Sequence, residues 1–200
     1  MDKLLLGTTN QGKVDEMKEY LAGLDMNILS LNDLQQDIKE PDEPHDTIEE
    51  NAFLKARYYA NKTNLISLSD DGGLFVDALN GWPGVKSARV AENSEKRRRL
   101  ILDMLEKKKT NDRSASFRSV LSLYDPQEKI GFSNMGMTKG KITKQPEETP
   151  KNGFGYDPIF KVKKSDKTYA SMNKKEKNNV SHRGKALFGI VDFIKFYYNK

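Results

Sequence analysis

The sequence lacks cysteine and is nearly devoid of histidine, and both absences narrow the chemistry open to it. With no cysteine among its 200 residues, the chain has no disulfide framework, no thiolate metal site and no cysteine nucleophile. Only His45 and His182 supply imidazoles, which disfavours a zinc site built from several histidines. Catalytic groups must therefore come from other residue types.

Long hydrophobic runs are also missing. The short apolar run within residues 1–7 is too short for a signal-peptide core or a transmembrane helix, so we expect a cytoplasmic protein without a membrane partner. A chain of 200 residues is expected to form a single domain in two lobes, spanning residues 1–200. The net charge of +5 suits an anionic ligand, but on charge alone solubility is the better explanation.

Strand-like and helix-like patterns alternate along the chain, which predicts an α/β fold with a mixed sheet. Helices are predicted at residues 13–24, 48–60, 94–108 and 183–198. Strands are predicted at residues 3–7, 28–31, 65–68, 115–124, 129–132, 135–142 and 159–162. The polar segment 69–73 is interpreted as the turn that ends a strand, and the lysine-rich segment before the last helix as a loop.

A polar loop joins the first predicted strand to the first predicted helix: Thr8-Thr9-Asn10-Gln11-Gly12-Lys13. Such a loop presents backbone N–H groups at a helix N-terminus, where the helix dipole and Lys13 favour a phosphate group. The spacing of a P-loop is absent, and so is a dinucleotide-binding fingerprint. Taken alone, the segment is better explained as an ordinary capped helix with a surface lysine.

Two acidic segments suit a magnesium ion. Asp70 and Asp71 directly follow an apolar strand, and adjacent carboxylates repel each other unless a cation or a proton lies beside them. Mg²⁺ binds carboxylate and phosphate oxygens together, and a nearby carboxylate can orient or deprotonate a water molecule. Asp42 or Glu43, on a preceding loop, would reach the metal from the other side. The alternatives are a solvated Asp-Gly turn and an acidic surface loop.

Two later segments carry side chains that suit a nucleotide base. The first is the glycine turn Gly153-Phe154-Gly155-Tyr156-Asp157, in which the ring of Phe154 suits stacking on a flat base. The second lies before the last predicted helix and supplies hydrogen-bond donors that suit carbonyl oxygens on a base edge: Lys177, His182 and Arg183. The alternatives are a turn with both rings in the core and a charged first helical turn.

Five segments, in this order along one chain, resemble the inosine/xanthosine triphosphate pyrophosphatase family: residues 8–13, 50–56, 70–89, 153–160 and 181–187. The resemblance implies an elongated mixed α/β fold with a long twisted central sheet, two lobes flanking an active-site cleft, and a homodimer. It implies Mg²⁺-dependent cleavage of ITP, dITP and XTP to the monophosphate and pyrophosphate, which cleanses the nucleotide pool. No nucleic-acid partner is expected.

The resemblance also implies residue roles. Asp71 matches the catalytic base and metal ligand, Asp70 stands beside it as support or second ligand, and Asp42 or Glu43 matches the acidic metal position. The implied substrate-binding residues are Thr8, Thr9, Asn10, Gln11, Gly12 and Lys13 for the triphosphate, and Phe154, Gly155, Tyr156, Asp157, Lys177, His182 and Arg183 for the base.

The chain departs from the family pattern at two places. Gly72 stands where many relatives have serine, so a serine contact with substrate is missing or is made by the Gly72 N–H. Asp42-Glu43-Pro44 stands where many relatives have a Glu-Glu pair, so catalytic efficiency or metal preference is expected to differ.

Two other functions compete with this one. The first is a related nucleotide hydrolase with another base preference, such as a modified pyrimidine. The second is a nucleotide- or RNA-binding protein without catalysis, which the basic run Lys96-Arg97-Arg98-Arg99 would suit. Interleaved acidic residues favour a solvated helix face for that run, and paired aspartates repel a polyanion unless a metal intervenes.

Overall fold

A computed structural model describes residues 2–148, 154–165 and 167–198 and shows a mixed α/β fold in them. The strands are β1 (Asp2–Leu6), β2 (Met26–Ser30), β3 (Ile66–Val76), β4 (Ser114–Asp125), β5 (Ile130–Ile142) and β6 (Phe160–Val162). The α-helices are α1 (Gln11–Leu21), α2 (Ile48–Thr63), α3 (Ser94–Lys107), α4 (Lys174–Val180) and α5 (His182–Tyr198). Over these ranges, the structure contains no helix suited to crossing a membrane.

The strands form one sheet in the order β2-β1-β3-β4-β5-β6. β1 pairs in parallel with β2 on one side and with β3 on the other, whereas β5 and β6 are antiparallel. The second strand thus lies on one side of β1 and the third strand on the other, so the strand order reverses between β1 and β3, which is called a switch point. In α/β sheets, ligands bind beside the carboxyl ends of the strands at such a point.

Two compact units share the chain. The first unit comprises Met1–Asp71, Ser119–Gly136 and Arg183–Lys200, and the second comprises Gly72–Arg118 and Met137–His182. In the first unit, α1 and α5 pack their apolar residues on the same sheet face as Leu4, Leu6 and Leu68, which are fully buried. In the second unit, α3 packs Ile101 and Leu105 into a separate core rich in aromatic rings.

The helices begin at polar side chains that satisfy their free N–H groups. Asn10 accepts from the Lys13 N–H at 3.3 Å, and Asn93 accepts from the Lys96 N–H at 2.9 Å. Thr47 accepts from the Glu50 N–H at 3.2 Å, which confirms the predicted start of α2.

Three predictions of local structure differ most from the structure. The segment 69–73 is not a turn, because β3 runs unbroken through it to Val76. Polar residues can continue a buried strand when partners satisfy them, and Gly73 lets the strand approach the Gly84 carbonyl, which lies 2.1 Å from where a Cβ would stand.

The other two concern β5 and α4. β5 is one strand where two were predicted, because the Asn134 amide between them donates to the carbonyls of Lys185 and Ala186 at 3.4 and 2.9 Å and anchors the strand on α5. The lysine-rich loop contains α4, which starts at a capping box between Asn173 and Glu176.

Candidate active site

The loop between β1 and α1 lies against β3 at the switch point. The Gly7 N–H donates to the Leu68 carbonyl at 2.8 Å, which continues the pairing of β1 with β3 past Leu6. A side chain at Gly7 would collide with Ser69 Oγ at 2.3 Å and with the Tyr59 ring at 2.5 Å, so only glycine permits this approach. The start of α1 is thereby fixed beside the part of β3 that carries Asp70 and Asp71.

The predicted phosphate loop is partly held by its own side chains. Thr8 is buried and accepts from the Asn10 N–H at 3.3 Å, while the exposed Thr9 donates to Glu40 at 3.2 Å. Gln11 donates to Asp15 at 2.7 Å, and it begins α1 together with Gly12. The first N–H groups of a helix have no carbonyl partner within that helix, so this end of α1 suits an anion.

Asp70 and Asp71 point to opposite faces of the sheet, because successive side chains alternate along a strand. Asp70 is fully buried on the face covered by α1 and α5. Its Oδ1 lies 2.5 Å from Lys13 Nζ, and its Oδ2 accepts from Arg183 Nε and from Ser119 Oγ at 3.0 Å each. Asp70 therefore faces away from Asp71 and holds two cations on its own side of the sheet.

Charge pairing outweighs burial at Asp70. Burial raises the pKa of the Asp70 carboxyl, but the positive charges of Arg183 and then Lys13 hold that pKa well below its usual range. Burial lowers the pKa of Arg183, yet Asp70 and Glu16 more than compensate and keep it above its ordinary value. Arg183 also forms an ion pair with Glu16. The result is a buried network in which Asp70 stays ionised and orients both cations.

Asp71 lies on the other face of β3, where α2 supplies Lys55. Lys55 Nζ forms an ion pair with Glu43 and lies 3.9 Å from Asp71 Oδ1. All three side chains are largely buried, with 5 % of Lys55, 9 % of Asp71 and 14 % of Glu43 exposed. Two carboxylates thus converge on one positive charge, and this donor set of hard oxygens fits a magnesium ion that completes its shell with water and phosphate oxygens.

The two residues offered for the acidic metal position differ in their surroundings. Glu43 faces Lys55 and so lies near Asp71, whereas Asp42 is exposed at the rim of a groove beside α2. The loop that carries both is fastened by Asn51, which is fully buried, accepts from the His45 N–H at 3.1 Å and donates to the His45 carbonyl at 3.0 Å. The described residues contain no group of three acidic or histidine side chains suited to a metal, so further ligands would come from substrate and solvent.

In the second unit, the turn that follows residue 153 presents an aromatic ring to solvent. Phe154 is 39 % exposed, whereas Tyr156 is buried and donates from its hydroxyl to the Ser87 carbonyl at 2.8 Å. Gly155 adopts a left-handed conformation with φ of +61°, which glycine tolerates best. Asp157 accepts from the Phe154 N–H at 2.9 Å and closes the turn. Gly153, which the sequence prediction included, lies outside the described residues.

Two predicted base-binding residues lie close to aromatic rings of the second unit. Lys177 is 6 % exposed, donates to Asp157 at 2.9 Å and places its Nζ 4.8 Å from the centre of the Phe154 ring. His182 is stacked on Phe117, with ring centres 4.8 Å apart and planes tilted by 11°. A buried ammonium beneath a half-exposed ring and a flat imidazole are features that suit a heterocycle.

Comparison with known sequences decides the family. A sequence model of the Ham1 family matches residues 4–193 of the chain. The chain belongs to the Ham1 family. It is 39 % identical over 190 residues to the dITP/XTP pyrophosphatase of Oceanobacillus iheyensis, an alignment that covers 94 % of this chain and 95 % of that protein. It is 42 % identical over 197 residues to the dITP/XTP pyrophosphatase of Geobacter sulfurreducens, with 97 % of each chain covered.

Solved structures of Ham1 proteins have the same fold. The Coxiella burnetii HAM1 protein superimposes with a TM-score of 0.87 at 36 % identity, over 98 % of this chain and 99 % of that one. The predicted mixed α/β fold and the resemblance drawn from five sequence segments are therefore confirmed. The roles given to individual residues stay predictions.

Two residues of this Ham1 site were missed by the sequence analysis, namely Lys55 and Asn51. Both lie in the segment 50–56 that carried part of the resemblance, and both are buried on the face of α2 that also holds Ala52, Ala56 and Tyr59. The sequence does carry a signal for them, because a lysine and an asparagine share an apolar helix face with alanines. Polar side chains buried on such a face need specific partners, which indicates a structured site. Gly72 lies inside β3 directly after Asp71.

Proposed function

We propose that this chain hydrolyses the non-standard purine nucleotides ITP, dITP and XTP to the monophosphate and pyrophosphate. The observation that carries the proposal is the convergence of Asp71 and Glu43 on Lys55 at the switch point, in a chain of the Ham1 family. The two relatives from Oceanobacillus and Geobacter are both named dITP/XTP pyrophosphatase. Carboxylates beside a phosphate-binding helix end are the groups that such a hydrolysis requires.

A divalent cation would be held by Asp71 and Glu43, and we propose Mg²⁺. When bound, the metal would supply positive charge to the phosphate oxygens and lower the pKa of a bound water. Asp42 remains the alternative ligand, and its exposure makes Glu43 the better candidate. The contacts of Lys55 with both residues support this assignment, because they indicate that the Asp71 and Glu43 carboxylates face the same region.

Asp71 would act as the base. Its carboxylate would accept a proton from the water that attacks the α-phosphorus, and pyrophosphate would leave as the bond between the α-phosphorus and the bridging oxygen breaks. Lys55 Nζ, 3.9 Å from Asp71 Oδ1, would orient the carboxylate that receives the proton. Both residues lie on regular elements, β3 and α2, so their spacing is set by the packing of the first unit.

The triphosphate would lie at the start of α1. Lys13 is 19 % exposed, and Asp70 orients its ammonium, which would neutralise charge on the departing pyrophosphate. The N–H groups of the first helical turn, including those of Gln11 and Gly12, would bind phosphate oxygens. Burial lowers the pKa of Lys13 and Asp70 opposes that shift, so Asp70 helps to keep the lysine charged.

Base recognition would depend on the second unit. The exposed face of Phe154 would stack on the purine, and Lys177 and His182 would donate to its keto oxygens. Donors that face this edge leave the amino group of adenine without an acceptor, which disfavours ATP. For Arg183 we keep the prediction of a base contact, with Asp70 and Glu16 fixing the plane of its guanidinium group.

The nucleic-acid alternative is disfavoured by the pairing of the basic run on α3. Lys96 forms an ion pair with Glu92. Arg97 and Arg98 donate to the backbone carbonyls of Ala91 and Gly155 at 2.9 and 2.8 Å. Side chains that are engaged within the fold contribute less to binding a polyanion.

A homodimer stays a prediction, which analytical ultracentrifugation would test.

The deciding experiment is pyrophosphate release from ITP, XTP, GTP, ATP and dUTP, each with and without Mg²⁺. We expect fast release from ITP and XTP with Mg²⁺, slow release from GTP and ATP, and none without a divalent cation. Preferred release from a pyrimidine nucleotide would support the related hydrolase instead. No release from any nucleotide, together with salt-sensitive binding to RNA, would overturn the proposal in favour of a non-catalytic role.

A further inference from the structure

One residue of the basic run on α3, Arg98, forms a hydrogen bond with the turn that carries Phe154. Arg98 Nη1 donates to the Gly155 carbonyl at 2.8 Å across 57 residues of sequence. Its neighbour Arg99 is 83 % exposed in its side chain and lies 4.0 Å from Asp103, which is itself exposed. Two adjacent arginines of the same helix therefore differ sharply, because one supports the turn and the other faces solvent.

Two carbonyls of the turn accept from N–H groups three residues further along the chain. The Phe154 carbonyl accepts from the Asp157 N–H at 3.2 Å, and the Tyr156 carbonyl accepts from the Ile159 N–H at 3.0 Å. The carbonyl between them belongs to Gly155, whose left-handed backbone conformation other residues rarely adopt. The Gly155 carbonyl instead accepts from Arg98, which lies on α3.

Arg98 is well placed to transmit rigidity. It lies about one helical turn before Ile101 and two before Leu105, which are 0 % and 1 % exposed and anchor α3 in the core of the second unit. A guanidinium group is planar and carries several donors, so it loses less freedom on bonding than a lysine ammonium would. The hydrogen bond therefore ties the turn to a helix that is anchored in the core of this unit.

We propose that Arg98 is a positioning residue for base binding. By fixing the Gly155 carbonyl it sets the backbone on which the Phe154 ring stands, and so keeps the exposed face of that ring ready for stacking. The inference rests on the proposed function, because it assumes that the turn binds the purine. The proposed role of Arg98 involves no contact with phosphate or metal.

The test compares Arg98→Met with Arg99→Met, which remove the same charge from adjacent positions. Three quantities are measured with Mg²⁺ present: KM and kcat for ITP, the inhibition constant of IMP, and that of inorganic tripolyphosphate. For Arg98→Met we expect KM for ITP and the inhibition constant of IMP to rise about tenfold, the effect of losing one hydrogen bond to a charged donor, with kcat nearly unchanged. The tripolyphosphate constant should not move, since tripolyphosphate lacks a base.

Arg99→Met should behave as the unaltered protein does in all three measurements. Equal effects of the two substitutions would overturn the proposal and assign the change to net charge. A tripolyphosphate constant that rises together with the IMP constant would also overturn it, because a general structural weakening would then explain both. If the unaltered protein itself fails to hydrolyse ITP, the proposed function fails, and that outcome is distinct from an Arg98 variant with unchanged constants.

Discussion

The two units of the chain prepare their candidate binding residues by different means. In the first unit, buried carboxylates and cations fix one another, as Asp70 does with Lys13 and Arg183. In the second unit, the ion pair of Lys177 with Asp157 lies among aromatic rings, and Phe154 keeps 39 % of its surface exposed. The difference teaches that groups for charged ligands require a pre-arranged electrostatic network, whereas a flat heterocycle requires a rigid apolar face.

The two arrangements also differ in what their loss would cost. Removing one partner from a buried ion network leaves an unpaired charge, which destabilises the fold strongly. Removing a half-exposed ring leaves no buried group unsatisfied and costs mainly affinity. Substitutions in the first unit should therefore separate into catalytic and structural effects, while loss of the exposed Phe154 ring in the second unit should act on KM.

The largest effect is expected for Asp71→Asn. The amide cannot accept the proton of the attacking water, so kcat for ITP should fall about 10²–10⁴-fold. Stability should change little, because Lys55 keeps its ion pair with Glu43. Stopped assays of pyrophosphate release and thermal melting provide the two readouts. Full activity in a well-folded Asp71→Asn protein would remove Asp71 from the chemistry.

Asp70→Asn makes the same chemical change one residue earlier and should act on stability. The carboxylate is fully buried, and its loss leaves Lys13 and Arg183 without their shared partner. We expect a loss of about 3–5 kcal/mol in the free energy of unfolding, measured by urea denaturation followed by circular dichroism. A loss as small as that of Asp71→Asn would contradict the distinction between the two sheet faces.

Phe154→Ala tests the aromatic side of the comparison. Loss of stacking on one base corresponds to about 1–3 kcal/mol, so KM for ITP should rise about tenfold or more while kcat is retained. The melting temperature should stay close to that of the unaltered protein, because the ring is 39 % exposed. The control is tripolyphosphate inhibition, which should be the same in both proteins. An unchanged KM would show that the Phe154 ring does not contribute to base binding.

Sequence patterns correctly predicted the structural features that depend on residues a few positions apart. The strand, polar loop and helix around Lys13 and the cap at Thr47 follow from residue types a few positions apart. The five resembling segments supplied the fold. The continuous β3 was missed, because Asp70 and Asp71 are typical of turns unless partners from distant elements satisfy them.

The pairings that define the charge network lie beyond local spacing. Arg183 is 113 residues from Asp70 in sequence, and nothing in either segment indicates the other. Lys55 was missed for a related reason, since a lysine in a helix is usually exposed and only tertiary packing places it between Glu43 and Asp71. Such contacts depend on the order of the strands, which periodicity does not determine.

The smallest effect is expected for Tyr156→Phe, which removes one hydrogen bond from the second unit and leaves the ring in place. The hydroxyl donates to the Ser87 carbonyl at 2.8 Å, so the free energy of unfolding should fall by about 1 kcal/mol, with little change in KM. Burial raises the pKa of Tyr156 from 10.0 to about 12, which means that the folded state favours the neutral phenol. The stabilisation from Tyr156 is therefore complete below pH 10, the value for the unfolded chain, and is lost as the pH rises through about 12. Urea denaturation of both proteins at increasing pH should show their difference shrinking over that interval, and a difference that grows with pH would contradict a neutral buried donor.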